Sequence, residues 1–179
     1  SVNLFYLEYD DTISSWASHK ASGSGWTIDN SAGKVKSKGF EFISNIKAKS
    51  INNMKFGYTY TNAYDGEDCD DPDSSCIDEM PVRVPKHVFQ TNFSKKFGKF
   101  NTTLKGKYQS KVRDYGNTNN SFNQVILDAY TQFDFSAYTN FLGYKIFFNM
   151  DNILDENFFE AYQYSVSGRE LNFGLKRNF

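Results

Sequence analysis

Apolar and polar residues alternate with a period of two along most of this chain. At its end Leu171, Phe173, Leu175 and Phe179 share a face with Arg169 and Arg177, while Glu170, Asn172, Gly174, Lys176 and Asn178 take the other. Tyr144, Ile146, Phe148 and Met150 alternate in the same way with Lys145, Phe147, Asn149 and Asp151. From Leu127 to Phe141 the alternation runs unbroken, longer than a typical soluble strand and suited to a tilted membrane crossing. Further strands are predicted over Phe100–Gln109, Val88–Phe97, Met54–Thr61 and Phe40–Ala48. The first segment, Val2 to about Ile13, is expected to turn Phe5, Leu7 and Tyr9 outward. The pattern predicts about eight strands and an all-β fold.

The connections sharpen this reading. Short ones are expected at Ser50–Asn53, Gly98 and Leu142–Gly143, and long ones over Trp16–Lys34, Ala63–Pro85, Lys111–Asn123 and Asp155–Ser167. Strict alternation of long and short puts them on opposite rims, as in outer-membrane barrels with short periplasmic turns and long extracellular loops. The chain's end, Phe179, then falls on the short-turn rim. A soluble up-and-down barrel of the lipocalin type fits less well, because the polar strand faces hold Lys, Asp, Asn and Gln that a small ligand cavity would leave unpaired.

Composition and charge narrow the field. The 179 residues include 18 Phe and 12 Tyr but only 3 Pro, enough apolar area for a folded chain of one domain's length. No apolar run approaches the ~18 residues of a membrane helix. The chain begins at Ser1 without Met or a secretion signal, so any targeting segment is expected to have been removed or to lie upstream. Net charge is -1, yet eight acids and no Lys or Arg lie between Tyr64 and Val82, marking an acidic loop. The remaining lysines are scattered singly, which argues against a nucleic-acid face. No G-x-S-x-G, H-E-x-x-H, P-loop or C-x-x-C pattern is present, and the pair Asp128 and Asp134 on one strand face makes no case for glycosidase chemistry. An enzyme is not expected.

The tail, with Asn152, Ile153, Leu154 and Asp155 opening a turn and Gly168-Arg169 opening a last strand that ends in Phe, resembles the C-terminus of TonB-dependent outer-membrane receptors. Upstream, NSAGKVKSKGFEF with Gly39 and Glu41, the strand from Tyr58 to Ala63, and VRVPKHVFQ with Arg83, Pro85 and His87 follow in the family's order. The resemblance implies a bacterial outer-membrane receptor whose barrel of about 22 strands surrounds an N-terminal plug and imports a scarce chelate with energy from TonB. A ferric siderophore or cobalamin is the implied cargo. Residues 1–179 would be the C-terminal barrel segment, with the plug and the TonB-contacting part outside this chain. Its partners would be membrane lipid and lipopolysaccharide, the rest of the receptor, TonB, and the outer-membrane assembly machinery. The competing reading is a complete eight-stranded barrel with a structural, anchoring or adhesive role.

In an exported protein, Cys69 and Cys76 within one loop are expected to form a disulfide. Asp68, Asp70, Asp71, Asp73 and Asp78 offer oxygen ligands for calcium, but their spacing fits no EF-hand, and a solvated acidic loop is the favoured reading. No cofactor is expected; His19 and His87 lack a partner that would make a metal or haem site. Loop aromatics are the candidate ligand contacts: Trp16, Trp26, Tyr64, Tyr115, Phe158 and Tyr162, with Phe159 and Tyr164 beside them, set against the alternative of an interfacial aromatic girdle. Phe173, Leu175 and Phe179 are expected to form the signal read by the assembly machinery, since a terminal strand can add to an exposed sheet edge.

Overall fold

The computed structural model describes residues 1–10, 13–14, 29–30, 34–48, 51–66, 81–118 and 121–177, and every regular element among them is a strand. In chain order these are β1 (Val2–Asp10), β2 (Ile13–Ser14), β3 (Asp29–Asn30), β4 (Lys34–Ala48), β5 (Ile51–Gly66), β6 (His87–Phe97), β7 (Phe100–Gln109), β8 (Val112–Thr118), β9 (Ser121–Leu127), β10 (Tyr130–Phe141), β11 (Tyr144–Asp151), β12 (Phe159–Ala161), β13 (Tyr164–Ser165) and β14 (Glu170–Arg177). Eight of them form one antiparallel sheet in the order β1-β4-β5-β6-β7-β10-β11-β14. The short hairpins β2–β3, β8–β9 and β12–β13 stand in three of the long connections. Among the described residues β1 and β14 each have a single neighbour, so both sheet edges are open.

Register fixes the two faces. Phe173 pairs with Phe148, Ala137 with Phe148, Phe135 with Leu104, Leu104 with Phe93, and Phe93 with Met54, which puts these side chains on one side of the sheet. Aromatic neighbours meet across strands on this side, Phe56 against Phe89 edge-on at 4.5 Å and Phe42 against Phe56 at 5.9 Å. Nothing in the described residues covers them: Leu4 is 83% exposed, Phe173 78% and Leu171 62%. An apolar surface this extensive is not stable against water, and it is the lipid face of a membrane barrel. The opposite face carries Asn45, Lys55, Asn92, Lys105 and Asp134 in one cross-strand row and is the lumen side.

Three expectations change. Val2 pairs with Phe42 and Leu4 with Phe40, so the lipid face of β1 is Val2, Leu4 and Tyr6, not Phe5, Leu7 and Tyr9. Phe5 lies on the lumen side across Gly39, where a Cβ would come 2.7 Å from its ring and 1.9 Å from the Tyr60 carbonyl oxygen. Both phases of β1 are apolar, so alternation alone gives no direction there. The run from Leu127 to Phe141 is the end of β9 and the whole of β10, separated by Asp128 and Ala129, so Asp128 does not share a strand with Asp134. The segment Lys111–Asn123 is no open loop but mostly the β8–β9 hairpin, paired from Val112–Leu127 to Thr118–Ser121. The turn at Leu142–Gly143 has both residues at positive φ, 50° and 79°, as a two-residue hairpin of the primed type requires.

Among the described residues, buried side chains cluster at the long-connection end. The buried hydrophobic side chains are Val112, Leu127, Tyr130 and Phe158, and the buried polar ones Ser110, Arg113, Asp114 and Asn152. The wall is a single layer solvated by lipid, and the only water-excluding core among the described residues lies beneath the rim.

Candidate functional site

Three chain segments that are remote in sequence meet at Asp114, whose side chain is 1% exposed. Arg83 donates from Nε to Asp114 Oδ1 at 2.9 Å, the Tyr115 amide donates to the same oxygen at 2.9 Å, and the Tyr162 amide donates to Oδ2 at 2.7 Å. The Arg83 amide also donates to the Arg113 carbonyl at 2.8 Å, with Arg83 itself held at φ 62°. Tyr162 lays its ring over Gly116, where a Cβ would come 2.6 Å from it. One buried carboxylate thus ties the descent into β6, the β8–β9 hairpin and the β12–β13 hairpin into a single rim.

Burial pushes the Asp114 carboxyl upward, but the Tyr162 amide, the Arg83 guanidinium and the Tyr115 amide outweigh it and hold the group below its ordinary value of 3.8. Since the folded value lies below the unfolded one, the cluster contributes its stability above that ordinary value and loses it as pH falls through the folded value. Protease nicking of residues 81–86 and 155–167 is expected to stay constant from neutral pH to about pH 5 and to rise only below pH 4. A rise centred near pH 6 would contradict this assignment.

Beneath the clamp Tyr130 stacks on Phe158 with ring centroids 3.8 Å apart and planes 10° apart. The Tyr130 hydroxyl donates to Glu160 Oε1 at 3.2 Å, and Lys107 Nζ lies 3.4 Å from the same oxygen and 5.1 Å from the Tyr130 ring centre. A second buried hub, Asn152 at φ 51°, shapes the turn after β11. Its Nδ2 donates to the Glu156 carbonyl at 2.9 Å and the Ser167 carbonyl at 3.3 Å, its Oδ1 accepts from the Glu156 amide at 3.1 Å, and its own amide donates to Asp134 Oδ1 at 3.0 Å. Asp155 Oδ1 accepts from the Arg169 amide at 2.7 Å, closing the loop onto the start of β14. The Asn152-Ile153-Leu154-Asp155 turn therefore has a physical role at each end: an amide side chain that mimics backbone pairing, and a carboxylate that caps the returning strand.

Of the residues named from sequence, Tyr115 and Tyr162 come together through Asp114, with the Tyr115 side chain 42% exposed. Phe158 is 6% exposed against Tyr130. Tyr64 pairs with Lys36 near the top of β5, in the phase of the lipid-side residues Tyr58 and Tyr60. Phe173 and Leu175 lie on the lipid face of the open-edged β14. Trp16, Trp26, His19, Cys69, Cys76, Asp68, Asp70, Asp71, Asp73, Asp78 and Phe179 lie outside the described residues. His87 lies beside the Tyr58 and Tyr60 rings, its Nδ1 2.9 Å from the Tyr58 hydroxyl. Among the described residues no group of three or more His, Cys, Asp and Glu is arranged to hold a metal. Asp114 and its partnership with Arg83 leave no mark in the sequence beyond the place of Arg83 in the VRVPKH segment.

A family model for the TonB dependent receptor-like β-barrel matches residues 1–153. No curated protein matches the sequence. Among solved structures, the pyoverdine outer membrane receptor FpvA of Pseudomonas aeruginosa PAO1 superposes with a TM-score of 0.75 at 18% identity, over 99% of this chain and 27% of its own. The siderophore receptor PiuA of Acinetobacter baumannii gives 0.63 at 19% identity, over 96% of this chain and 24% of its own. The ferric-catecholate import receptor Fiu of E. coli K12 gives 0.66 at 16% identity, over 95% and 24% respectively. The chain spans about a quarter of the length of these receptors. Meander order, lipid-facing aromatics, segregated loops and the family match agree, and the chain belongs to the TonB-dependent receptor β-barrel family.

Proposed function

We propose that this chain is the wall and part of the outer rim of an outer-membrane receptor that imports a ferric siderophore, driven by TonB through a plug carried elsewhere in the receptor. The observation that carries this reading is the open sheet: eight strands bear a continuous lipid face, yet β1 and β14 do not pair with each other. Unpaired strand edges are untenable in lipid, so further strands must complete the wall. This favours a segment of a larger barrel over a self-closed eight-stranded one. The tail's resemblance assigns it the last strands of that barrel, with Phe173, Leu175 and Phe179 as its assembly signal. The receptors named above for pyoverdine, siderophore and ferric-catecholate uptake favour iron chelates over cobalamin.

In this reading no residue performs chemistry. Tyr115 and Tyr162, braced on Asp114, present the ligand-contacting side of the rim together with Trp16 and Trp26, and a Cys69–Cys76 bridge tightens the acidic loop. Uptake by cells carrying the full receptor, of radioactive iron supplied in a panel of ferric siderophores and of cobalamin labelled with radioactive cobalt, tests it. At least one ferric siderophore is expected to enter, and entry is expected to vanish when either the receptor or TonB is deleted. Uptake of cobalamin alone, or of none of the panel, would overturn the reading.

A further inference from the structure

The hairpin joining β6 and β7 reads Lys95-Lys96-Phe97-Gly98-Lys99-Phe100, and no Asp or Glu lies between Phe93 and Leu104. Phe97 pairs with Phe100 on the lipid side, 53% and 54% exposed, and Gly98 turns the chain at φ 58°. Register puts Lys95 on the same side one step further up the wall, opposite Thr102. A cation facing hydrocarbon is costly, and the cost falls toward the headgroups. Lys95 accordingly runs its stem down the wall toward the short-turn rim, with Nζ 4.8 Å from the centre of the Phe97 ring. Hydroxyls hold the hairpin in this pose from both sides: Thr102 Oγ1 donates to the Lys95 carbonyl at 2.8 Å, and Thr139 Oγ1 of β10 donates to the Lys99 carbonyl at 3.0 Å. Among the described residues neither Lys95 nor Lys99 has a carboxylate partner. At the opposite rim the lipid-side Lys36 has one, Glu8 at 3.5 Å.

We propose that this hairpin tip binds the headgroup of an anionic phospholipid in the membrane leaflet at the short-turn rim. Phe97 and Phe100 fall at the foot of the lipid face, the level at which aromatic rings settle into a membrane interface. Lys95, drawn down over Phe97, and Lys99, in the exposed turn itself, then lie at the level of the phosphates. Charge complementarity selects the occupant. A zwitterionic headgroup brings an ammonium together with its phosphate, and the tip has no carboxylate to receive it. A headgroup of net negative charge, such as that of phosphatidylglycerol, leaves no such group unmatched. The arrangement recurs along the same rim, where Arg177 at the foot of β14 lies 5.4 Å from the centre of the Tyr144 ring. Because the two threonines fix the turn before any lipid arrives, little backbone ordering opposes binding. The proposal rests on the membrane-wall part of the reading above and not on the cargo.

Native mass spectrometry of the full receptor, offered equal amounts of phosphatidylglycerol and phosphatidylethanolamine, tests it. Wild type is expected to retain phosphatidylglycerol preferentially. Lys95→Gln/Lys99→Gln is expected to lower that retention by about fivefold per lysine, the attraction of one cation to an anionic lipid surface, with phosphatidylethanolamine unchanged. Lys99→Gln alone, in the exposed turn, is expected to show a single such step and decides the matter if the double variant does not insert. Lys36→Gln/Lys38→Gln removes the same charge from the lipid side of the other rim and is expected to retain phosphatidylglycerol as wild type does. Equal retention of the two lipids by wild type would overturn the proposal. So would equal losses in the two double variants, which would mean a diffuse attraction to any lysine, or unchanged lipid retention with impaired assembly in the tip variant, which would assign the tip to a protein partner. A receptor that imports no ferric siderophore yet shows a lipid preference lost in the tip variant would overturn the cargo reading and support this one.

Discussion

Replacing Asp114 by Ala is expected to release the rim while leaving the wall intact. The substitution strips two amides and a guanidinium of their shared acceptor in a site that is 1% exposed. Breaking a buried charged cluster from one side costs about 3 to 5 kcal/mol. The Arg83 side chain is 57% exposed, so water screens its share, and the lower end applies. About 3 kcal/mol corresponds to roughly a hundredfold rise in local opening, readable as faster amide exchange of Tyr115 and Tyr162 with no change in the strands of the sheet. Arg83→Ala, which removes the screened partner alone, is expected to cost about 1 kcal/mol. Equal effects of the two substitutions would mean that the ion pair, and not the amide cage, holds the rim. Because the cage positions Tyr115 and Tyr162, Asp114→Ala is also expected to weaken siderophore binding by the full receptor.

The second large effect concerns the lipid face. Phe173 pairs with Phe148 on the outer side and is 78% exposed, while its neighbour Asn172 pairs with Asn149 on the lumen side. Phe173→Arg is expected to destabilise the inserted barrel by about 2 to 4 kcal/mol, the cost of an arginine near the bilayer midplane. Asn172→Arg, pointing into the lumen, is expected to be mild. Denaturant titration of the full receptor in lipid vesicles measures both. Equal losses at the two positions would refute the assignment of faces.

How far a sequence carries such a chain depends on the distance over which each feature is decided. The Asn152-Ile153-Leu154-Asp155 turn is legible because its main contacts lie within four residues, apart from its anchors to Asp134, Ser167 and Arg169. The break between β9 and β10 is not, because two residues separate the strands and a two-residue gap preserves the phase of a period-two pattern. The β8–β9 hairpin has the polarity of a loop, since its polar positions at Arg113 and Asp114 are buried by partners far along the chain.

Period-two alternation and loop lengths determined by themselves that the chain is all-β, that one side of its wall is greasy, and that long and short connections fall on opposite rims. These follow from backbone pleat and local composition, which need no knowledge of neighbours. Tertiary structure alone decided which phase of β1 faces lipid, because Val2, Leu4 and Tyr6 are as apolar as Phe5, Leu7 and Tyr9 until pairing with β4 selects between them. It alone brought Asp114 to Arg83 across 31 residues and to Tyr162 across 48. A buried carboxylate leaves no periodic trace in a sequence, since what defines it is the set of groups brought to it by register and chain return.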